Sequence, residues 1–424
     1  MSLEMTSADS AMIKKWNVGW TIGNYCNATC GHCYSWQLRR TSENFLSIKD
    51  VERIIEGLIS IGTNSVNLGG NEPIFTHGSK LSDSILPVII SMLHEAKIPT
   101  GLTTNGFTFN HLARKFPKEL QMINDVDFSL DSPHKKYHDQ NRGAPLYESV
   151  LKGLSTARDL RINCSIIFCG MRGNFDKVTI SEFLKLAHQY DSELRVNLLK
   201  PTEISLLDDM PTPQQYFEGF ELLLAKSRTI TQGESCITAV SGTGYSGCPC
   251  GTTSFRINAK SSDGQISLNP CVYMHDFQVG NILDEDISSV ISSKKFADIR
   301  RRSEEIPKEC LESSCSYVEE CRGGCTARAY LVNGSLDSKD PYCPHEHFDA
   351  VKFPNFPTSF EVGVDDDSIR VHDKYLCTWI GKPDPTKFDD EMIERVGTPV
   401  RIMQRKHSQA LGGQVSLKLV DEDN

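Results

Sequence analysis

The sequence predicts an α/β fold built from consecutive β–α units, followed by a small cysteine-rich unit and a C-terminal extension. Two patterns carry this prediction. From Trp16 to Thr202, short β-like runs alternate with amphipathic helical stretches at a period of about thirty residues. Residues 248–343 then gather eight of the chain's fifteen cysteines among many glycines and few long periodic segments. Six β–α units with right-handed crossovers build either an open doubly wound sheet or a partial barrel, and periodicity alone does not choose between them. The expected boundaries are 1–235, 236–345 and 346–424.

Taken in order, the strands are read at "WNVGWTI" (16–22), "SVNLGG" (65–70), "TGLTTNG" (100–106), "DVDFSLDS" (125–132), "INCSIIFCG" (162–170) and "ELRVNLLKPT" (193–202). Between the first two lies "SIKDVERIIEGLISIG", where Ser47 and Asp50 suit a helix N-terminus and Gly62 a stop. In either architecture the loops at the carboxyl ends of the strands form the active site. Cys26 to Cys33, Gly70 to Pro73, Asn105, Asp131 and Lys200 all fall there. A linking helix, "TPQQYFEGFELLLAKS", precedes a change of character near Cys236, and the segment after 344 shows Pro-rich turns and a very polar end.

Composition narrows the function classes. Hydrophobic residues at 39% and charged residues at 24% are ordinary for a globular protein, and no apolar run approaches the length of a membrane span. The first residues contain no basic stretch followed by an apolar one, so the expected compartment is the cytoplasm. A net charge of −10 without a basic stripe argues against a nucleic-acid partner. Fifteen cysteines are too many for chance, their count is odd, and a reducing compartment disfavours disulfides, so thiolate ligation of metal is the better account.

"CNATCGHCYSW" (26–36) spaces three cysteines as Cys-x3-Cys-x2-Cys and offers no fourth nearby. Three thiolates hold three corners of a four-iron cluster and leave the last iron for an exchangeable ligand, whereas electron carriers and closed zinc sites take four ligands. Zinc is the alternative. At this loop the chain resembles the radical S-adenosylmethionine enzymes. The resemblance implies a partial (β/α)6 TIM-type barrel, a 4Fe-4S cluster on Cys26, Cys30 and Cys33, and S-adenosylmethionine chelated to the remaining iron. His32 stands at the family's aromatic position against the adenine, with Tyr34 close by. "GNEP" (70–73) is similar to the family's Gly-Gly-Glu-Pro turn, so Gly70, Asn71 and Glu72 would receive the methionine amino group, Asn71 tolerating left-handed backbone in place of Gly. "TTNG" (103–106) places Asn105 at the cofactor, and "SLDSPHKKYHDQNRG" (129–143) places Asp131 and Arg142 near its ribose or carboxylate.

The second cysteine group resembles the SPASM module, which carries auxiliary clusters. By that likeness Cys310, Cys315, Cys321 and Cys343 hold one auxiliary 4Fe-4S cluster, and Cys250, Cys271 and Cys325 another. A further ligand usually lies a few residues after the first, where this chain has "TTSFRIN"; Cys248 is the substitute, or an iron is left open. A pair of zinc knuckles is the alternative. Cys164 and Cys169 read as buried small hydrophobes, Cys236 has no assignment, and Cys377 in "KYLCTWIG" is a candidate hydrogen donor or ligand.

The resemblance implies an oxidoreductase that forms a 5′-deoxyadenosyl radical and takes hydrogen from a peptide, giving an oxidative modification or cross-link. The implied partners are a peptide substrate, a separate leader-binding protein and an electron donor such as flavodoxin or ferredoxin. A separate protein, or the tail after 344, is expected to bind any leader, because few residues precede Cys26. The alternatives are a sugar or amino acid dehydrogenase or epimerase, favoured by a barrel closed by the tail, and a non-catalytic iron–sulfur carrier.

Overall fold

The computed structural model describes residues 16–36, 44–242, 246–357 and 375–389. Ten strands form a single sheet: β1 (Trp16–Trp20), β2 (Thr63–Leu68), β3 (Thr100–Thr104), β4 (Asp125–Ser129), β5 (Asn163–Gly170), β6 (Glu193–Leu198), β7 (Ser227–Gln232), β8 (Ser254–Ile257), β9 (Leu268–Asn269) and β10 (Trp379–Pro383). Each of the six strands expected from the sequence is present.

Strand order resolves the choice that periodicity left open. It runs β7-β10-β6-β5-β4-β3-β2-β1-β8-β9, and every neighbour pair from β1 to β6 is parallel. A doubly wound sheet requires a reversal of order where the chain changes face. None occurs between β1 and β6, so the chain winds in one sense, as in a barrel. Beyond β1 the sheet continues into β8, and beyond β6 into β10, so β6 does not pair with β1 and the barrel is partial.

The period of two along the strands sorts side chains to opposite faces. Val66, Leu68, Leu102, Val126, Phe128, Ile166, Phe168, Leu194 and Val196 are fully buried and belong to the main apolar core. On the helix Ile48–Ser60, Val51, Ile54, Ile55 and Leu58 are buried at helical spacing. Ser47 and Asp50 form the expected reciprocal cap, with Asp50 N donating to Ser47 Oγ at 3.2 Å and Ser47 N to Asp50 Oδ2 at 2.8 Å. The helix ends at Ile61, followed by Gly62 at φ +69°.

Residues of the opposite parity are polar and bond to one another. Thr103 Oγ1 donates to Asn67 Oδ1 at 3.1 Å and to Asp127 Oδ2 at 3.4 Å, while Ser165 and Arg195 both donate to Asp127. The lumen is therefore a hydrogen-bonded polar layer inside an apolar coat, in which Asp127 has Thr103, Ser165 and Arg195 as partners.

Four strands were not read from the sequence: β7, β8, β9 and β10. β7 follows the linking helix directly, and β10 lies in the C-terminal extension, antiparallel to both β6 and β7. The extension thus contributes a strand to the barrel sheet. Five residues containing Gly381 and Pro383 give too short a pattern to stand out. The cysteine-rich segment joins the same sheet, since β8 pairs in parallel with β1. Of the tail, 358–374 and 390–424 lie outside the described residues.

Asp127 and Arg195 are a buried ion pair, with side chains 0% and 2% exposed. Removing one partner strands the other charge, so Asp127→Ala is expected to lower stability by about 3–5 kcal/mol. Denaturant unfolding of the two proteins measures it.

Candidate active site

The loop bearing Cys26, Cys30 and Cys33 leaves the carboxyl end of β1, and all three cysteines line one cavity of about 160 Å³ at the barrel mouth. Gly70, Asn71, Glu72, Asn105, His32, Tyr34 and Arg142 line it as well, so most of the residues singled out from separate strand ends converge.

The turn after β2 is tied to this loop. Gly70 has φ +92°, and a Cβ there would lie 2.2 Å from Thr21 Oγ1, so glycine is required twice over. Asn71 is absent from the positive-φ positions, so its expected left-handed role is corrected: Gly70 makes the left-handed turn. Asn71 has a different task. Its Nδ2 donates to Gly23 O at 2.8 Å, and its Oδ1 accepts from Ser35 at 3.3 Å, bridging the turn to both ends of the cysteine loop. Glu72 is buried, accepting from Asn105 N at 2.9 Å, Thr108 N at 2.8 Å and Thr104 Oγ1. Burial raises its pKa above the usual carboxylate value against those three donors. Asn105 Nδ2 reaches Asn27 Oδ1 at 2.7 Å and so touches the cysteine loop itself.

Asp131 is fully buried and does not face the cavity. Its Oδ2 meets Arg142 Nε at 2.7 Å, His32 Nε2 at 3.3 Å and Asn141 Nδ2 at 3.1 Å. Burial works against its charge, but Arg142 and His32 outweigh it and hold the carboxyl below its usual range. Arg142 extends to Cys30, with Nη1 at 3.7 Å from the sulfur. Asp131 thereby positions two cavity residues, where contact with a ligand had been expected.

Several cavity residues were missed. Arg256 of β8 is 1% exposed, donates to Thr21 Oγ1 at 2.7 Å and to Val272 O at 3.2 Å, and has no carboxylate partner among the described residues. Tyr273 and Tyr375 also line the wall; a single arginine in "SFRI" was the one available signal. Cys169, read as a core hydrophobe, lies on the wall beside Lys200. Lys200 is buried, 3.6 Å from Glu234, which offsets the burial penalty and raises its pKa.

The remaining cysteines fall into two groups. Cys310, Cys315, Cys321 and Cys343 line one small cavity, so the widened gap between the first two does not separate them. Cys236, unassigned from sequence, has its sulfur 3.8 Å from that of Cys321. Cys248, Cys250, Cys271, Cys325 and Cys377 share a second buried cluster. Within it the sulfurs of Cys248 and Cys377 lie 3.9 Å apart. Among the described residues no three His, Cys, Asp or Glu side chains are arranged around a single ion. Convergent buried thiols with apolar neighbours suit iron–sulfur clusters as a donor set. No described helix is long and apolar enough to cross a membrane.

Comparison with known proteins follows the same lines. The profile of the Radical SAM superfamily matches residues 20–187. Mycofactocin maturase MftC of Mycobacterium ulcerans is 25% identical over 362 residues, covering 80% of this chain and 92% of its own. The AdoMet-dependent heme synthase of Methanosarcina barkeri is 24% identical over 356 residues, covering 77% and 95%. Native anSMEcpe with bound AdoMet superposes with a TM-score of 0.60 at 16% identity, covering 80% and 96%.

His138 provides a pH test of the Asp131 network. Asp131 N donates to its Nδ1 at 3.2 Å, and burial, helped by Arg142, lowers its pKa from 6.5 to about 3. The unfolded chain therefore binds the extra proton between those values. Stability is full above pH ~6.5 and falls by about 1.4 kcal/mol per pH unit below it. His138→Gln is expected to lack this part of the slope in denaturant unfolding at pH 7 and pH 5.5.

Proposed function

We propose that this chain, whose residues 20–187 match the Radical SAM superfamily model, is a peptide-modifying enzyme that removes hydrogen from a side chain presented to the barrel mouth. The observation carrying this reading is the convergence of Cys26, Cys30 and Cys33 with Glu72 and Asn105 on one cavity above a polar lumen. When bound, S-adenosylmethionine and its cluster supply reductive cleavage to a carbon radical that takes a hydrogen atom. The chain's own residues hold and orient. Cys26, Cys30 and Cys33 are the iron ligands of that cluster. Gly70, Asn71, Glu72 and Asn105 receive the methionine end, and His32, Tyr34 and Arg142 form the rest of the cofactor wall, with Asp131 behind His32 and Arg142. The two remaining thiol groups would hold auxiliary 4Fe-4S clusters, which would supply an acceptor for the product electron.

A peptide substrate is supported by the maturase relative MftC and by a solved anSMEcpe structure carrying both AdoMet and the Cp18Cys peptide, a fold match at TM-score 0.58 and 16% identity. Arg256, buried without a carboxylate partner among the described residues, favours an anionic group on whatever binds beside it. A leader-binding protein and a flavodoxin or ferredoxin donor complete the proposed partners.

One observation favours a second reading. Tyr375 and Leu376 of the C-terminal segment line the cavity, and a Cβ on Gly19 would lie 1.6 Å from the Tyr375 hydroxyl. A barrel covered in this way fits a small sugar or amino acid substrate. Anaerobically reconstituted protein, reduced with dithionite, is expected to yield 5′-deoxyadenosine, with Cys30→Ala reduced to background. Mass spectrometry of added peptides is expected to show loss of two hydrogens. Turnover of small molecules alone selects the second reading, and no 5′-deoxyadenosine from fully loaded protein rejects both.

A further inference from the structure

The cysteine cage nearest the barrel has one more thiol than a four-iron cube has corners, and one of the five comes from an unexpected place. Cys250 precedes β8, Cys271 follows β9, and Cys325 caps the helix Thr326–Asn333, so these three belong to the cysteine-rich segment. Cys377 arrives from the C-terminal extension, two residues before β10. Its sulfur lies 3.9 Å from that of Cys248 and also contacts that of Cys325. It is 3% exposed, so it meets no solvent-borne partner.

We propose that Cys377 is an iron ligand of the nearer auxiliary cluster, taking the four corners together with Cys250, Cys271 and Cys325, and that Cys248 is the thiol left over. This rests on the iron–sulfur reading above. Cys248, 3.9 Å from Cys377 in the same buried cluster, competes with it for the fourth corner. Cys377 stands at the edge and is held from outside. Lys200 Nζ donates to its carbonyl at 3.3 Å, and Gly233 N donates to the carbonyl of Thr378 at 2.8 Å. β10 is then paired on both sides, to β6 and β7.

Ligation forms one Sγ–Fe bond, breaks the S–H bond and releases its proton to solvent without electron transfer, the two ferric irons of the resting cube being supplied as ferric salt beside the ferrous iron during assembly. The consequence reaches the active site. Tyr375 and Leu376, which line the cavity, directly precede the ligand, so loading the cluster anchors the same stretch that covers the barrel.

The test uses the full chain with Cys26, Cys30 and Cys33 all changed to Ala, so that only auxiliary iron remains and the result does not depend on cofactor cleavage. Iron, acid-labile sulfide and the EPR spectrum of the reduced protein are compared after reconstitution with ferrous and ferric iron and sulfide. Cys377→Ala is expected to lose about half of the auxiliary iron. Cys377→Ser, close in size and able to fold alike, is expected to keep iron but shift the spectrum of one cluster. Cys248→Ala is expected to match the parent in both. The proposal is overturned if Cys377→Ser and Cys377→Ala match the parent in iron and spectrum, or if Cys248→Ala alone loses the iron.

Discussion

The arrangement of both thiol groups depends on one buried arginine. Arg328, fully enclosed, meets Glu234 at 2.9 Å and Asp340 at 2.7 Å, with the ring of Tyr342 4.6 Å away. Glu234 follows β7 of the barrel sheet, whereas Arg328 and Asp340 belong to the cysteine-rich segment, so the ion triad pins one to the other. Its arms continue outward. Asp340 accepts the N–H of Cys325 at 2.7 Å, which orients the thiol cage, and Glu234 faces Lys200, which in turn donates to the carbonyl of Cys377. Two carboxylates face two cations: burial alone would lower the pKa of both Lys200 and Arg328, yet the facing carboxylates raise it. Such a cluster is expensive to desolvate and contributes chiefly by being complete.

A second constraint is the inverted polarity of the barrel. Helices on one face demand an apolar coat, and the strands comply chiefly with Val, Leu, Ile and Phe at the outward positions. The inward positions carry Asn67, Thr103, Asp127, Ser165 and Arg195, which bond among themselves. A lumen of this kind pairs the Asp127 carboxylate while leaving room above, so the cysteine loop, the Glu72 turn and Asn105 can meet over it. Asn71 and Asn105 then tie those loops together through side-chain bonds.

The six barrel strands, the Ser47–Asp50 cap and the three-cysteine loop were readable because each is a local pattern: a period of two, a capping pair, a spacing within eight residues. The residues at strand ends were readable as a set once the β–α repeat was recognised. Asp131 was placed correctly on its strand end but not in its role, since its three partners come from elsewhere on the rim. Asn71 was expected to supply a backbone conformation and supplies side-chain bonds.

Chain order alone therefore dictated a parallel β–α core and the chemistry of the thiolate loop, because helix, strand and ligand spacing are properties of neighbouring residues. Folding in three dimensions decided what the cysteines keep company with. It brought Cys236 beside Cys321 across 85 positions and Cys377 beside Cys248 across 129. It also set β10 between β6 and β7, carrying Tyr375 over Gly19 into the mouth of the barrel. Contacts between distant segments arise from how elements pack and which buried charges pair, and no local pattern encodes them.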